Sequence, residues 1–367
     1  MGLEFVACPS VNFFVNLPRI DHDYFIQGEY TMKYIKKIAG VKHFFLLKGE
    51  EVIVTAHNIQ IGDLLLDAAP DDDVFCENDV LTKREHFKKQ FTYKDGKWNE
   101  DSPRYGDFEY FSENLYYSTE YDKDVHLQRY SIIENGKETL CEIKSEQRIL
   151  LHQYIRRLSI YIFPEIGNRS LLFYTKDFQF LWKYQIEEPD VTINFRGVTV
   201  AGDSVVVVKK QRIKDSFDSL YSVEGYNILT GNKLWEIKHT PFYPCFNIGP
   251  DNMLYSIHYQ EDTLFVEKID PVDGALTKHE IKSGDFDSHT RISPSTAALY
   301  GDKLYFTDNR WKSACSIGVI DLNTLKLEEM MKLDTHEGVD STMPPLLTED
   351  KVYVFMRLAG ELHVFWR

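Results

Sequence analysis

A short run of β-branched and aromatic residues recurs along this chain at a nearly fixed spacing. Each run follows a polar or Gly-Asp turn, as in "GDSVVVVKK" from residue 202 and "GDKLYFTD" from residue 301. The equivalent positions are Leu115, Ile160, Val205, Leu254, Leu304 and Val352, at steps of 45, 45, 49, 50 and 48 residues, and Phe75 extends the series upstream. A repeat of this length constrains the fold strongly, because every copy must form the same unit and pack against its neighbours.

A second hairpin signal follows most of these runs. Turn dipeptides that tolerate a positive φ connect antiparallel neighbours at Asp95-Gly96, Asn135-Gly136 and Asp273-Gly274. The hairpins begin with "LLKGEEVIVTA" near residue 46, and their equivalent positions are Ile53, Trp98, Leu140, Trp182, Trp235, Lys278 and Glu329. Four short strands in each period of about 40 to 50 residues indicate one blade of a β-propeller.

We therefore expect one all-β domain over residues 1–367, a β-propeller of four-stranded antiparallel blades. The mean spacing favours eight blades, and seven stays open because residues 20–42 match the repeat poorly. After an inner strand near Leu346, the chain holds only two further strands, so its last blade lacks an outer strand. An N-terminal strand in "LEFVACP", residues 3–9, is expected to complete that blade and close the ring.

Residues 225–235, "GYNILTGNKLW", resemble the tryptophan-docking motif of the PQQ-like (quinoprotein alcohol dehydrogenase-like) β-propeller repeat superfamily. That motif is usually Ala-x-Asp-x-x-Thr-Gly-Lys-x-x-Trp. In this copy Thr230, Gly231 and Trp235 match the motif, and Asn227 stands in place of Asp. In the next copy along the chain Asp270 and Gly274 match, and in the copy after that only Asp321 does. In the copy that precedes residues 225–235, only Trp182 matches. The resemblance implies the fold, and it implies either quinone-dependent and calcium-dependent oxidation in the channel or a non-enzymatic protein-binding platform. The enzymes of the family have adjacent cysteines, which this chain lacks, so we expect no cofactor.

Composition narrows the class of partner and the compartment. The 57 acidic and 42 basic residues give a net charge of −15, which repels phosphate backbones and favours a basic protein partner over nucleic acid. Five scattered cysteines predict neither a disulfide framework nor a zinc site. The first residues lack the basic region of a signal peptide, and no run is long and apolar enough to span a membrane. We expect a cytoplasmic protein without a membrane partner.

In a propeller, the loops between second and third strands and the links between blades lie on one rim. His258 and other His and Asp residues there could bind a metal or carry protons, but no ligand spacing supports this, and solvated loops explain them. Aromatic and Arg side chains are instead enriched where protein interfaces concentrate binding energy. The candidate partner-binding residues of the rim are Arg212, Phe242, Tyr243, Tyr259, Asp285, Phe286, Asp287, His289, Arg291, Arg310, Trp311, His336, Glu337 and Asp340.

A second candidate lies in the acidic segment "DAAPDDDVFCEND", residues 67–79. A solvated turn would account for it. Alternatively, Asp71, Asp72 and Asp73 would attract a cationic surface and speed association.

The functional prediction follows from charge and from missing motifs. There is no phosphate-binding Gly-rich loop, no Gly-x-Ser-x-Gly elbow and no His-Glu-x-x-His helix in the sequence. We expect a non-catalytic protein-binding scaffold and no enzyme, with an immunity or antitoxin-like protein that neutralises a basic toxin domain as the narrower form. The alternative is an enzyme or small-ligand binder with its site in the central channel.

Overall fold

The computed structural model describes residues 32–69, 72–77, 80–85, 89–94, 96–100, 109–112, 115–134, 137–144, 153–155, 158–165, 169–213, 219–240, 244–284, 286, 290, 292–308, 315–333 and 343–367. Within these ranges, 32 strands form eight four-stranded antiparallel sheets. None of the residues described forms an apolar helix of the length that a bilayer crossing requires. The all-β antiparallel class predicted from the sequence is confirmed.

The first half of the chain gives β1 and four sheets. The strand β1 (Lys33–Ala39) comes first. Sheet 1 contains β2 (His43–Leu47), β3 (Glu50–Val54), β4 (Asn58–Ile61) and β5 (Leu64–Asp67). Sheet 2 contains β6 (Asp73–Glu77), β7 (Val80–Glu85), β8 (Lys89–Lys94) and β9 (Lys97–Glu100). Sheet 3 contains β10 (Glu109–Ser112), β11 (Leu115–Asp122), β12 (Leu127–Glu134) and β13 (Lys137–Lys144). Sheet 4 contains β14 (Gln153–Ile155), β15 (Ile160–Pro164), β16 (Ser170–Thr175) and β17 (Phe180–Gln185).

The second half gives the other four sheets. Sheet 5 contains β18 (Val191–Ala201), β19 (Ser204–Arg212), β20 (Ser219–Asn227) and β21 (Lys233–Thr240). Sheet 6 contains β22 (Asn247–Ile248), β23 (Leu254–Gln260), β24 (Thr263–Ile269) and β25 (Leu276–Ile281). Sheet 7 contains β26 (Ile292–Tyr300), β27 (Lys303–Asp308), β28 (Ser316–Asp321) and β29 (Lys326–Lys332). Sheet 8 contains β30 (Leu346–Leu347), β31 (Lys351–Met356), β32 (Glu361–Trp366) and β1.

Second strands are buried on both faces, which explains the recurring apolar runs. Val205–Val208 of β19 are all buried, because sheets pack on both sides of this strand. Outer strands alternate between buried and exposed residues, as in β17, since one edge meets solvent. Strong apolar runs therefore mark the second strand of a sheet, and outer strands give a weaker signal.

Six of the seven repeat positions fall where the spacing predicts. Each occupies the first or second position of a second strand, in sheets 3 to 8: Leu115, Ile160, Val205, Leu254, Leu304 and Val352. Val205 packs against the preceding sheet, whereas Ile160 packs against the following one, sheet 5. The residue of sheet 4 that packs against its preceding sheet is Tyr161, so the repeat position was assigned one residue too early there. The assignment of Phe75 to a second strand is wrong by one strand, because Phe75 lies in β6, the first strand of sheet 2. The assignment of the hairpin near residue 46 to this series is also wrong. The other hairpins of the series join a third and a fourth strand, whereas β2 and β3 are the first and second strands of sheet 1.

Apolar clusters join neighbouring sheets in sequence order. They connect sheets 1 and 2, 3 and 4, 4 and 5, 5 and 6, 6 and 7, and 7 and 8. Sheets 2 and 3 meet through β6 and β10. A further cluster joins sheet 8 to sheet 1, with Phe44 against Tyr353 at 5.0 Å between ring centroids.

Sheet 8 takes strands from both ends of the described chain. β1 pairs antiparallel with β32, from Lys33 opposite Trp366 to Ala39 opposite Glu361. The outer position of this sheet, which is expected for residues 3–9, is therefore held by residues 33–39 instead. The segment "LEFVACP" at residues 3–9 lies outside the described residues.

The strand order defines two ends of the molecule. We call the loop end the side with the second-to-third strand turns and the links between sheets. The turn end is the opposite side, with the first-to-second and third-to-fourth strand turns.

Candidate functional site

Two buried indoles fasten outer strands to the turns of the next sheet. Trp182 of β17 donates from Nε1 to the carbonyl oxygen of Ile228 at 2.8 Å, and Trp235 of β21 donates to that of Pro271 at 3.0 Å. A Cβ atom on Gly231 would lie 2.5 Å from the ring of Trp182, and one on Gly274 would lie 2.6 Å from the ring of Trp235. Only glycine allows this approach, and both glycines have a positive φ.

The docking turns share one backbone conformation. Asn227 accepts hydrogen bonds from Leu229 N and Thr230 N at 3.1 and 3.0 Å, and Gly231 N donates to the carbonyl oxygen of Asn227. The turn from Asp270 to Gly274 closes in the same way. Such side-chain hydrogen bonds replace those that a tight turn cannot make.

The corresponding turn of sheet 7 lacks both docking partners. Asp321 accepts from Thr324 N at 2.7 Å and closes the turn, but Leu325 takes the glycine position with φ of +53°. The outer strand of sheet 6 carries Lys278 where β21 has Trp235. This junction therefore has neither the tryptophan nor the glycine of the docking contact.

Five exposed apolar side chains lie at the turn end of three consecutive sheets. They are 43 to 68% exposed. We call this set the apolar row: Phe180, Leu229, Leu234, Val272 and Leu276. Leu229 and Val272 occupy the same place in the two docking turns, and each turn is held against the preceding outer strand by an indole. The docking contacts therefore fasten the two turns that carry Leu229 and Val272, and exposed apolar patches mark interaction sites.

Charges near the row are neutralised within the protein. Burial works to raise the pKa of Glu224, but hydrogen bonds from Lys233, Lys209 and Tyr184 outweigh it and lower the pKa to about 2. The Nζ atoms of Lys233 and Lys209 lie 2.7 and 2.9 Å from Glu224 Oε1, and Tyr184 OH donates at 2.8 Å. Lys233 also pairs with Glu236 at 2.8 Å. The two carboxylates and two ammonium groups of this network cancel one another in charge.

The structure describes three side chains of the predicted rim. Arg212 is exposed at the loop end of β19. Tyr259 is half-buried, and its hydroxyl donates to Asp262 Oδ1 at 3.2 Å. The rings of Tyr259 and Phe286 meet edge to face at 5.5 Å, but Phe286 is buried among residues of sheets 6 and 7. Phe286 is therefore a core residue rather than an exposed contact, because its ring fills the space between these sheets.

All the other rim candidates lie outside the described residues. These are Phe242, Tyr243, Asp285, Asp287, His289, Arg291, Arg310, Trp311, His336, Glu337 and Asp340. Asp71 of the acidic segment also lies outside, and Asp73 is described only as the first residue of β6.

Asp72 is turned inward rather than presented to a partner. Its Oδ2 accepts a hydrogen bond from Ala69 N at 2.8 Å and lies 3.7 Å from Lys83 Nζ. The carboxylate is only 4% exposed. The expectation of a free, steering carboxylate is thus wrong for this residue, since Asp72 closes its own turn and pairs with Lys83.

His258 is a core histidine in the described structure. Its ring stacks on Phe265 at 4.9 Å, and its Nδ1 lies 3.7 Å from Glu267 Oε1. Burial, with Lys278 nearby, lowers the pKa of His258 to about 4, so the ring is neutral at pH 7. Within the described ranges, no group of three or more His, Cys, Asp or Glu side chains is placed to hold a metal ion.

The apolar row was not predicted from the sequence. The signal was nevertheless present, because Leu229 and Val272 stand two residues before Gly231 and Gly274 in aligned copies. A solvent-facing position that is apolar in successive repeats indicates a surface feature shared by neighbouring sheets.

Solved structures share this arrangement of sheets. BamB from Moraxella catarrhalis superposes with a TM-score of 0.51 at 8% sequence identity, covering 92% of this chain and 100% of that chain. The Dos1 propeller superposes with a TM-score of 0.52 at 12% identity, covering 92% of this chain and 95% of that chain. The chain has a β-propeller fold. No family model matches the propeller's sequence, and no curated protein matches it. Identities this low carry the fold alone.

Proposed function

We propose that the eight sheets are the eight blades of one closed propeller of the PQQ-like kind. Three observations support this proposal. Each sheet contacts the next in sequence order, sheet 8 packs on sheet 1, and Trp182 and Trp235 dock on glycine turns as the repeat motif requires. On this view the first strands of the sheets surround a central channel.

We propose further that this propeller is a non-catalytic scaffold that binds another protein in the cytoplasm. The observation that carries the proposal is the apolar row. Its five side chains are exposed at the same end of three adjacent sheets, and Leu229 and Val272 stand on turns that the docked indoles fasten. Exposed apolar side chains on fastened turns suit a protein interface, since little backbone entropy is lost on binding.

The net charge suggests the chemistry of the partner. At −15, the field of the whole molecule attracts a basic protein and repels an acidic one. Steering by this field and contact through the apolar row are separate effects, and together they favour a basic partner with an apolar contact patch. A basic toxin domain is the narrower case of this proposal. The exposed Arg212 and the acidic residues of the rim remain candidates for additional contacts.

The test compares two surface variants of the full chain. Leu229→Asp/Val272→Asp places charges in the apolar row, and Val125→Asp/Leu358→Asp places charges at equally exposed apolar positions of the loop end. Tagged proteins are used to capture partners from the native cell, and each protein identified by mass spectrometry is purified and titrated by calorimetry. We expect the row variant to weaken binding at least tenfold and the control variant to bind as the wild type does.

Two results would count against the proposal. If the row variant binds the captured protein as tightly as the wild type, the row is not the contact surface. If the association rate does not fall as salt rises, the charge does not steer the partner. A bound chromophore or metal in the purified protein would favour the channel-site alternative instead.

A further inference from the structure

The position that joins each sheet to the preceding one is apolar in four sheets and charged in sheet 1. Val205, Leu254, Leu304 and Val352 each pack against the preceding sheet from the start of a second strand. In sheet 1 the same position, the second residue of β3, is Glu51. Ile53, two residues further along β3 and on the same face of the sheet, also packs against sheet 8.

Glu51 contacts two strands of sheet 8. Its Oε1 accepts a hydrogen bond from Lys351 Nζ at 2.9 Å and from Tyr353 OH at 2.8 Å, both on β31. Its Oε2 lies 4.0 Å from Lys36 Nζ on β1. One half-buried carboxylate thus holds together the strand from the beginning and a strand from the end of the described chain.

Sheet 8 also differs in how its outer strand is attached. In sheets 1 to 7, the third and fourth strands are consecutive in the chain. In sheet 8, β1 pairs with β32, whereas the next described strand along the chain from β1 is β2 of sheet 1, which follows residues 40–42. If sheets 1 and 8 part, this short link pulls β1 away from β32. No other described junction requires a strand to leave its sheet.

We propose that the propeller opens first at a seam formed by the β1–β32 pairing and the Glu51 contact, and that Glu51 holds this seam shut. Local opening occurs where few covalent and apolar constraints must be broken. At the seam no turn joins the paired strands, and at one position of an otherwise apolar contact a solvent-accessible carboxylate replaces an apolar side chain. An open seam would free the outer edge of β32, the edge that pairs with β1, and the residues Glu361–Phe365 of this strand are buried in the closed form.

Hydrogen exchange followed by mass spectrometry on the full chain tests the seam. In the wild type, we expect amides of β1 and β32 to exchange faster than those of β19 and β20. Glu51→Gln keeps the size of the side chain but removes the charge, and we expect it to speed exchange in β1 and β32 about ten- to a hundredfold. Exchange in β19 and β20 should not change.

Glu224→Gln is the matched control, because it removes a buried carboxylate from the contact between sheets 4 and 5, whose strands are joined by turns. It should leave β1 and β32 unaffected. If Glu51→Gln does not fold, Lys351→Met removes the partner charge and should give the same local acceleration. The proposal is rejected if β1 and β32 are protected as strongly as β19 and β20 in the wild type. It is also rejected if the folded Glu51 or Lys351 variant exchanges there at the wild-type rate.

Discussion

Gly274→Ala is the substitution that most directly examines how neighbouring sheets are fastened. Gly274 has φ of +74°, so alanine there costs about 1–2 kcal/mol in backbone strain alone. The added Cβ would lie 2.6 Å from two atoms of the Trp235 ring, which adds about 1–3 kcal/mol of overpacking. We expect a total loss of roughly 2–5 kcal/mol in the free energy of unfolding.

A double-mutant cycle with Trp235→Ala separates the two terms. Removing the indole costs about 3–5 kcal/mol by itself, because Trp235 is buried and hydrogen-bonded to Pro271. It also removes the clash, so the double variant should lose about 1–3 kcal/mol less than the sum of the single variants. Urea unfolding followed by far-ultraviolet circular dichroism measures each change without relying on tryptophan fluorescence.

Gly40→Ala is the control for backbone strain. Its φ is +76°, and a Cβ there would meet no atom within 4 Å. We expect it to cost about 1–2 kcal/mol and to be additive with Trp235→Ala. Equal losses for the Gly40 and Gly274 variants, together with an additive cycle at Gly274, would show that the indole does not rest on this turn in solution.

Three further outcomes are expected. The pKa of Glu224 is lowered from 4.5 to about 2, so its ionised contacts stabilise the fold above pH 4.5 and are lost as the pH falls toward 2. Glu224→Gln should therefore lower the free energy of unfolding at neutral pH by about 2 kcal/mol, as measured by urea titration at several pH values. This loss is smaller than the full pKa shift implies, because the lysine partners of Glu224 are partly exposed to water. Lys278→Trp together with Leu325→Gly should create a docking pair between sheets 6 and 7. By comparison of urea unfolding midpoints, the double variant should be more stable than the sum of the two single changes predicts. Leu65→Lys, on the exposed edge strand β5, should reduce aggregation in light scattering while changing the stability by less than about 0.5 kcal/mol.

The sequence predicted sheets 3 to 8 from β-branched and aromatic runs that fall in their second strands. Runs such as Val205–Val208 are apolar throughout, and Gly-Asp turns precede several of them. Sheets 1 and 2 gave no such signal. The second strand of sheet 2 reads "VLTKRE", so the stronger apolar run around Phe75 in β6 was assigned in its place.

The strand that completes sheet 8 was hidden for a related reason. β1 reads "KYIKKIA", and most of its residues are exposed or half-buried at the edge of the sheet. Lysines on an outer strand discourage pairing with other chains, and they also weaken the apolar pattern by which a strand is recognised. Position in the sheet, rather than local preference, decides the sequence of such a strand.

The candidate residues show a different limit. Loop composition pointed to polar and aromatic side chains around Tyr259, but it could not indicate which of them turn inward. Phe286 is buried because a space between two sheets accepts its ring, and Asp72 because Ala69 N and Lys83 lie beside it. Both contacts depend on the arrangement of distant segments, which spacing along the chain does not reveal.

The pairing of β1 with β32 has a consequence for biosynthesis. Lys33 is synthesised long before its partner Trp366. At 5–20 residues per second, the first strand must wait roughly twenty seconds to a minute for the strand that receives it. Until β32 has been synthesised, β1 therefore lacks the strand it pairs with in sheet 8, and the seven sheets that lie between them in the chain form without this pairing.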